Sequence, residues 1–202
     1  MRLCLVEDHV AGGLEPISLT RPVFDLLLGA GTLGAKIARA VGVGPGPQRR
    51  GVVIRPSLSG VRRLRDPHTT VNDRDWLARG PVIVANGRWV PPADFALPDQ
   101  RTPWLGLCDG QPALALVGPD DAARLEPNGV SSWFEQVAGR LGGIELGGEW
   151  IQRPWDLVAK NAAHLERDFH HDRKPGVTNR HLTTFALVGP VDRLSIHETA
   201  RI

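Results

Sequence analysis

The sequence predicts an α/β fold, in which a mostly parallel sheet is covered by helices on both faces and carries one inserted hairpin. Short apolar runs at residues 2–6, 51–55 and 81–85 have the composition of buried parallel strands. Segments of helical character separate these runs, as expected for strand–helix–strand units. Polar groups follow two of the runs directly, at the strand ends where open α/β sheets bind ligands: Glu7-Asp8-His9 and Asn86-Gly87-Arg88.

The first helix is predicted over residues 23–41. Pro22 has a φ suited to the first helical position, and Ser18 or Thr20 would cap the free N–H groups. Arg21 would then stand at the helix N-terminus, where a phosphate is favoured. The alternative interpretation of the same pattern is an ordinary capped helix with a surface arginine.

The other elements follow from periodicity and from turn residues. Pro154 is typical of a helix start, and Ser131 or Ser132 is a candidate cap for the helix before it. Gly110-Gln111-Pro112 splits an apolar stretch into a hairpin. The predicted elements after residue 55 are helices at residues 57–65, 131–141 and 154–169, hairpin strands at residues 104–109 and 113–117, and strands at residues 81–85 and 184–188.

Composition limits the class of protein. The 202 residues suffice for one main domain, and no apolar run approaches the roughly 18 residues needed to cross a bilayer. The first apolar run is too short for a secretory signal, so we expect a cytoplasmic protein. Cys4 and Cys108 lie in apolar segments and are expected to be reduced core residues. A net charge of +2 with scattered basic residues gives no nucleic-acid footprint.

The end of the sequence has a different pattern. Residues 196–202 read Ile-His-Glu-Thr-Ala-Arg-Ile, with a β-branched residue at either end and small polar residues between them. One coil of a parallel β-helix begins in this way, and such coils need stacked neighbours. We therefore expect a main domain at residues 1–190 and, at residues 191–202, the beginning of a truncated β-helix domain of a longer polypeptide.

Several motifs occur in one order over nearly all of the chain: Val6-Glu7-Asp8, Thr20-Arg21-Pro22, Gly29 with Lys36, Asn86-Gly87-Arg88, Pro154-Trp155-Asp156-Leu157 with Asn161, and the final Ile-His-Glu-Thr-Ala-Arg-Ile. In this order they resemble a family of sugar nucleotidyltransferase-like proteins. That family is related to the N-terminal (uridyltransferase) domain of bifunctional N-acetylglucosamine-1-phosphate uridyltransferase/glucosamine-1-phosphate acetyltransferase, and the resemblance is to its divergent branch with the Thr-Arg-Pro motif. The Thr-Arg-Pro and Pro-Trp-Asp-Leu segments are its most specific parts.

The resemblance implies a fold and a reaction. The fold would be a Rossmann-like, three-layer domain of nucleotidyltransferase type with a mixed, mostly parallel sheet, followed by a left-handed, hexapeptide-repeat β-helix. In the reaction, an oxygen of a sugar-1-phosphate would attack the α-phosphorus of a nucleoside triphosphate and release pyrophosphate. The partners would be those two substrates. The full-length protein would be a homo-oligomer through the β-helix, whose missing part would be a trimeric acyltransferase.

The resemblance also implies site residues, because phosphoryl-type transfer depends on positioning and on charge neutralisation. Arg21 and Lys36 would hold the triphosphate, and Arg88 would hold the sugar phosphate. Asn86 would bind the sugar or the base. For Lys36, a solvated side chain deep in the predicted helix is the alternative. The remaining residues expected to bind substrate are Asp8, Thr20, Gly87, Asp156 and Asn161.

The sequence departs from the wider superfamily in its glycine-rich loop. Superfamily members carry that loop directly after the first strand, where its backbone N–H groups surround the nucleotide phosphates. Here the similar string Leu27-Leu28-Gly29-Ala30-Gly31-Thr32-Leu33 lies within the predicted first helix. We interpret the string as part of a helix whose small residues pack closely on the sheet.

A second departure concerns the metal ion. The superfamily has Asn-Gly-Asp at the central strand end, where the Asp holds Mg²⁺, but Asn86-Gly87 is followed here by Arg88. A cation does not ligate a cation, so Arg88 would bind a phosphate directly or would mark a domain without catalysis. Mg²⁺ stays a possible cofactor, with Asp8 and Asp156 as weak candidate ligands. An aspartate near a helix N-terminus is more often a cap.

Two functions from different classes therefore remain open. One is a sugar-1-phosphate nucleotidyltransferase, which the Arg21 segment favours. The other is a catalytically inactive module that binds a nucleotide sugar or a sugar phosphate and is attached to a β-helix acyltransferase, which Arg88 favours.

Aromatic and histidine residues give further expectations. Trp104, Trp133 and Trp155 fall in apolar patterns and are expected in the core, whereas Trp89 could stack on a base or sugar. His170-His171-Asp172 with His164 has the composition of a metal cluster, and His164 and Asp168 are four residues apart on a predicted helix. No flanking Cys or Glu completes a known ligand spacing, so we interpret this group as a polar helix end and not as a metal site.

Overall fold

The computed structural model describes residues 1–44, 46, 48–172, 188–190, 194 and 196. Apart from Val188 and Ile196, the predicted last strand and the predicted β-helix coil lie outside the described residues. Within them, the strands are β1 (Leu3–Val6), β2 (Leu27–Leu28), β3 (Gly31–Thr32), β4 (Arg50–Val53), β5 (Thr70–Val71), β6 (Val82–Asn86), β7 (Trp89–Val90), β8 (Trp104–Cys108), β9 (Gln111–Val117), β10 (Ile144–Glu145) and β11 (Glu149–Trp150). The helices are α1 (Leu33–Ala40), α2 (Pro56–Arg65), α3 (Arg74–Leu77), α4 (Pro119–Ala122), α5 (Val130–Leu141) and α6 (Pro154–Asp172).

The main sheet is mixed and mostly parallel, as the sequence predicts. Its seven strands have the order β10-β8-β9-β6-β1-β4-β5. The pairs β6–β1, β1–β4, β4–β5 and β10–β8 are parallel, and β9 is antiparallel to both of its neighbours. β1 lies between β6 and β4, and because both of its faces are also buried, its sequence is a continuous apolar run.

Helices cover both faces of this sheet. Side chains alternate along β1, so that Leu3 and Leu5 join the core with α1 and α2, whereas Cys4 and Val6 join the core with α3 and α5. Both cysteines are buried and free, as predicted. Burial raises the pKa of Cys4 to about 12, which is the behaviour of an inert core thiol.

The inserted hairpin is confirmed as β8 and β9, but its turn is Asp109-Gly110, and the predicted turn residues Gln111 and Pro112 belong to β9. Cys108 pairs with Gln111, and the two residues between them, Asp109 and Gly110, have φ values of 51° and 72°. Asp-Gly with positive φ at both positions is the preferred chemistry of a two-residue hairpin turn. The predicted helices in the second half of the chain also form, and the described part of the chain contains no helix long and apolar enough to span a membrane.

The predicted helix over residues 23–41 is wrong in its first ten residues. A single 3₁₀ turn, Val23–Asp25, follows Pro22, then β2 and β3 form a small hairpin, and α1 begins only at Leu33. The side chain of Thr32 caps α1 by accepting a hydrogen bond from the N–H of Ala35 at 3.1 Å. The glycine-containing string of residues 27–33 is therefore a turn, not the packed face of a helix.

Gly29 shows why a helix cannot run through this segment. Its φ is 68°, a left-handed value that ends a right-handed helix, and a Cβ at this position would lie 2.8 Å from the carbonyl oxygen of His164 in α6. The turn between β2 and β3 thus packs directly against α6.

The tryptophans correct two further expectations. Trp104 and Trp133 are buried as predicted, but Trp155 is 66% exposed at the start of α6. Trp89, expected to stack on a ligand, is fully buried. Its Nε1 donates to the carbonyl oxygen of Gly147 at 3.0 Å, and its ring meets Phe95 edge to face.

Candidate functional site

The sheet topology predicts where a ligand binds. The chain leaves β1 toward β4 on one side, whereas β6 lies on the other side of β1. Strand order therefore reverses between β1 and β6, and a crevice at the carboxyl ends of these strands is the usual binding place in an open α/β sheet. The residues that follow β1 and end β6, from Glu7 and from Asn86 onward, lie there.

A cleft of about 530 Å³ opens at these strand ends. One wall is the segment after β1, which forms a 3₁₀ turn at His9–Leu14, and Arg55 after β4 lies beside it. The other wall is the start of α5 and the segment before it, residues 127–135. His9 Nδ1 lies 2.6 Å from Ser131 Oγ and joins the two walls.

Glu7 ties the long loop to the floor of the cleft. One of its oxygens accepts a hydrogen bond from the N–H of Val23 at 3.0 Å, and the Arg55 guanidinium binds both oxygens at 3.2 and 3.3 Å. Arg55 also donates to the carbonyl oxygen of Ser18 at 2.7 Å. The loop segment that carries Arg21 is therefore attached at both ends to the carboxyl ends of β1 and β4.

Asp8 forms a buried ion pair with Arg88. Arg88 Nε donates to one carboxylate oxygen at 2.8 Å and Nη2 to the other at 2.5 Å, while Asn86 Nδ2 adds a hydrogen bond of 2.8 Å. Burial alone would raise the pKa of Asp8, but the hydrogen bonds and charge of Arg88 and the bond from Asn86 hold it below its usual value. Asp8 is thus a fully bonded carboxylate.

Arg88 is enclosed on its other sides as well. Its relative exposure is 1%, its Nη1 donates to the carbonyl oxygen of Ile151 at 3.3 Å, and its guanidinium lies 5.1 Å from the centre of the Trp150 ring. Such a cage of planar and carbonyl partners suits the flat guanidinium of arginine and not a lysine. The guanidinium is therefore committed to Asp8 and is not an open phosphate-binding group.

Asn86 and Gly87, the residues before Arg88, are also held by contacts inside the protein. Asn86 Oδ1 accepts from the N–H of Arg88 at 3.1 Å, so both ends of this amide are bonded inside the protein. A Cβ on Gly87 would lie 2.8 Å from the Phe24 ring, so a side chain has no room there. The predicted group Asp8, Asn86, Gly87 and Arg88 is brought together, but as a packed network at the base of the crevice.

Lys36 and Asn161 lie elsewhere. Lys36 is in the first turn of α1, not deep inside a long helix, and its ammonium group bonds to Asp168 of α6 in the protein interior. Asn161 Oδ1 accepts from the N–H of Gly29 at 2.8 Å, and so fastens α6 to the turn between β2 and β3. Neither residue lines the cleft. The interpretation as a polar helix end is wrong for His164 and Asp168, since both are buried, whereas His170 is exposed near the end of α6.

Arg21 and Thr20 do not stand at a helix N-terminus, because α1 begins at Leu33. Both residues are exposed on the loop that Glu7 and Arg55 hold. The Arg21 guanidinium makes no hydrogen bond or ion pair with any residue that the structure describes. It is therefore a cation whose charge is still available near the strand ends.

The residues do not fit a bound divalent cation. Both oxygens of Asp8 are engaged by Arg88, and Asp156 Oδ2 instead caps α6, accepting from the N–H groups of Gln152 and Arg153 at 2.8 and 2.9 Å. No three acidic, histidine or cysteine side chains among the described residues are close enough to hold a metal together. Asp156 is the cap that the alternative interpretation expected.

Sequence reasoning missed part of the cleft. Arg55 could have been found, since it is the last residue of the strand predicted at residues 51–55. The wall formed by Asn128, Ser131 and Glu135 had no such signal, because only the packing of α5 brings it opposite His9.

Known proteins resemble this chain over most of its length. The family model for sugar nucleotidyl transferases matches residues 3–174. A solved Bacillus anthracis protein, assigned as a glucose-1-phosphate thymidylyltransferase and in complex with a sucrose, is similar at 11% identity, with 82% of this chain and 96% of that chain covered and a TM-score of 0.50. The inositol-1-phosphate CTP transferase from T. maritima is similar at 10% identity, 84% and 96% coverage and a TM-score of 0.49. No curated protein sequence gives a significant match.

Proposed function

The chain belongs to the sugar nucleotidyl transferase family, and on that premise we propose that it transfers a nucleotidyl group from a nucleoside triphosphate to a sugar-1-phosphate. An oxygen of the sugar phosphate forms the new bond to the α-phosphorus. The bond from that phosphorus to the bridging oxygen of the β-phosphate breaks, and pyrophosphate leaves. The observation that carries this proposal is the family match over residues 3–174.

The cleft at the ends of β1, β4 and β6 is the site that best supports this reaction. It has a volume of about 530 Å³ and lies where strand order reverses. Reactions of this type depend on holding two anionic substrates in line. Arg21 is the cation we assign to phosphate binding, because its loop is fastened beside the cleft and its charge is not matched by a described acid. His9 and Ser131, which join the two walls, would contact the sugar or the base.

The finer relationship is also a proposal. The Thr20-Arg21-Pro22 and Pro154-Trp155-Asp156-Leu157 segments support kinship with the uridyltransferase domain of the bifunctional N-acetylglucosamine-1-phosphate enzymes. On that basis residues 1–190 form the transferase domain, and residues 191–202 begin a hexapeptide-repeat β-helix through which the full-length protein oligomerises.

A pyrophosphate-release assay tests the transfer. Purified protein is incubated with each nucleoside triphosphate and a panel of sugar-1-phosphates, with and without Mg²⁺. We expect release with one pairing. Release from no pairing, in a protein that still binds nucleoside triphosphate, would contradict the transferase proposal.

Arg21→Ala tests the phosphate role. Loss of one charge-assisted contact should weaken triphosphate binding by about 1.5–3 kcal/mol, measured by calorimetry. The matched control is Arg101→Ala, since the Arg101 side chain is 90% exposed and does not line the cleft. Equal affinity of Arg21→Ala and the wild-type protein would remove Arg21 from the site.

The Asp8–Arg88 ion pair favours a second candidate function, a module that binds the nucleotide sugar or sugar phosphate without turnover. Because Asp8 is fully bonded to protein groups, it has no free oxygen for a metal ion. Under this alternative, binding is retained with little dependence on Mg²⁺, and pyrophosphate is never released. Release that needs Mg²⁺ would exclude it.

A further inference from the structure

A second pocket opens between α1, α6 and the segment after β7, and we call it the α1–α6 pocket. Its volume is about 270 Å³, and it shares no lining residue with the cleft. Three of its lining side chains are cationic: Lys36 and Arg39 of α1, and Arg167 of α6. The rest of the lining is Ala40 and residues of the segment 91–95.

The charge of this pocket is not balanced by the residues that line it. No acidic side chain is among the lining residues in the part of the chain that the structure describes. Asp168 lies behind the pocket, where Lys36 and Arg39 both bond to its carboxylate, Arg39 at 3.1 Å. Asp168 also accepts from the N–H of Ala30 at 2.9 Å, so its acceptor capacity is largely used.

Repulsion from the two arginines acts on the buried Lys36 and affects its pKa. Lys36 is 4% exposed, and burial lowers its pKa, with a further lowering by the charges of Arg167 and Arg39 against the opposing effect of Asp168. Nearby, burial and the charge of Arg167 lower the pKa of His164. An anion in the pocket would relieve this repulsion at low dielectric, where charge pairs are strong.

The segment after β7 gives the pocket an apolar and firmly held wall. Pro91, Pro92 and Phe95 line it, and the Phe95 ring meets the buried Trp89 ring edge to face, with 5.4 Å between centroids and 77° between planes. A rigid aromatic and proline surface suits a flat apolar group. The pocket thus offers cations at one end and a ring-binding wall at the other.

We propose that the α1–α6 pocket binds a small organic anion, a phosphate ester or carboxylate that carries an aromatic or other flat apolar ring. Arg167 binds the anionic group together with Arg39, while Lys36 stays paired with Asp168, and Phe95 with the two prolines contacts the ring. The volume is just below the range typical of drug-sized ligands, so the ligand is small. This site is independent of the proposed nucleotidyl transfer.

Calorimetry with phenyl phosphate tests the proposal, with inorganic phosphate and benzyl alcohol as comparison probes. We expect phenyl phosphate to bind more tightly than inorganic phosphate, and benzyl alcohol not to bind. Arg167→Gln should weaken phenyl phosphate about tenfold or more, because a charge-assisted contact is lost. Arg167→Lys should recover part of the affinity.

Phe95→Ala should weaken phenyl phosphate and leave inorganic phosphate unchanged. Arg101→Gln, a change of a 90% exposed arginine side chain, is the matched control and should alter neither. In the wild-type protein, phenyl phosphate should shift the amide resonances of Ala40 and Ala93, which requires no variant to fold.

Three results would overturn the proposal: no binding of phenyl phosphate, equal binding by the wild-type protein and Arg167→Gln, or resonance shifts at Gly12 of the cleft with none at Ala40 and Ala93. The last result, together with loss of binding in Arg21→Ala, would assign the anion to the cleft and would support the proposed function instead.

Discussion

The cleft and the α1–α6 pocket both contain charged side chains but pair them differently. In the cleft, each buried acid has its own arginine, Glu7 with Arg55 and Asp8 with Arg88. At the α1–α6 pocket, Lys36 and Arg39 share one carboxylate, that of Asp168. A buried cation is therefore a ligand-binding group only where the protein has not already matched it with an acid. By this measure Arg88 holds the fold together, whereas Arg167, which forms no ion pair with a described acid, leaves charge for a ligand.

The largest effect should come from breaking the matched pair. Arg88→Met leaves Asp8 buried without its cation, which should lower the free energy of unfolding by about 3–5 kcal/mol in urea denaturation. Replacing both partners, as Asp8→Leu with Arg88→Met, should restore most of that loss because no charge stays buried. A loss below about 1 kcal/mol in the single variant would mean that the pair behaves as a surface pair.

A backbone change beside the Lys36–Asp168 ion pair should have the next largest effect on stability. Gly29→Ala places a Cβ against α6 at a left-handed φ, so we expect a loss of at least about 2 kcal/mol of unfolding free energy. Gly31→Ala is the matched control in the same turn, because a Cβ there meets nothing within 4 Å. Equal stability of the two variants would show that α6 does not pack on Gly29 as described.

Removing Lys36, one of two cations that share Asp168, should lower the free energy of unfolding less than removing Arg88. In Lys36→Met, the Asp168 carboxylate keeps Arg39 and the N–H of Ala30, so a loss of about 1 kcal/mol is expected by urea denaturation. If Lys36→Met were as destabilising as Arg88→Met, the distinction between matched and unmatched charge would fail.

The smallest effect is expected in the pH dependence of stability. The folded-state pKa of Asp8 lies below its unfolded value, so ionised Asp8 contributes stability above about pH 4, and that contribution is lost as pH falls through the folded pKa. Melting temperatures between pH 6 and pH 2.5 should therefore fall less steeply for Asp8→Asn than for the wild-type protein. Asp99→Asn, at a largely exposed aspartate, should keep the wild-type slope.

Much of the sheet could be predicted because its strands carry their own signals. β1, β4 and β6 are buried on both faces and so read as apolar runs, and Asp109-Gly110 has the chemistry of a tight hairpin turn. The polar groups at the ends of β1 and β6 could be predicted to lie together because parallel strands share an edge. For these elements, local pattern and tertiary structure agree.

Residues 23–32 could not be predicted in this way. Pro22 and the apolar residues after it favour a helix locally, but the N–H of Val23 bonds to Glu7 and α6 packs on Gly29. The ion-pair partners of Arg88 and Lys36 could not be predicted for the same reason. Arg88 meets an acid 80 positions away and Lys36 an acid 132 positions away, separations at which no sequence pattern indicates a contact.

The caged Asp8–Arg88 pair limits how this protein can change over generations. A substitution at position 8 or at position 88 alone strands a charge, whereas a paired exchange to neutral residues does not. Substitutions at the two positions are therefore coupled, and we expect the positions to vary together among relatives of this chain. The contacts of Arg88 with Ile151 and Trp150 extend this coupling to β11. Loss of the arginine would therefore also remove a constraint on the segment between β11 and α6.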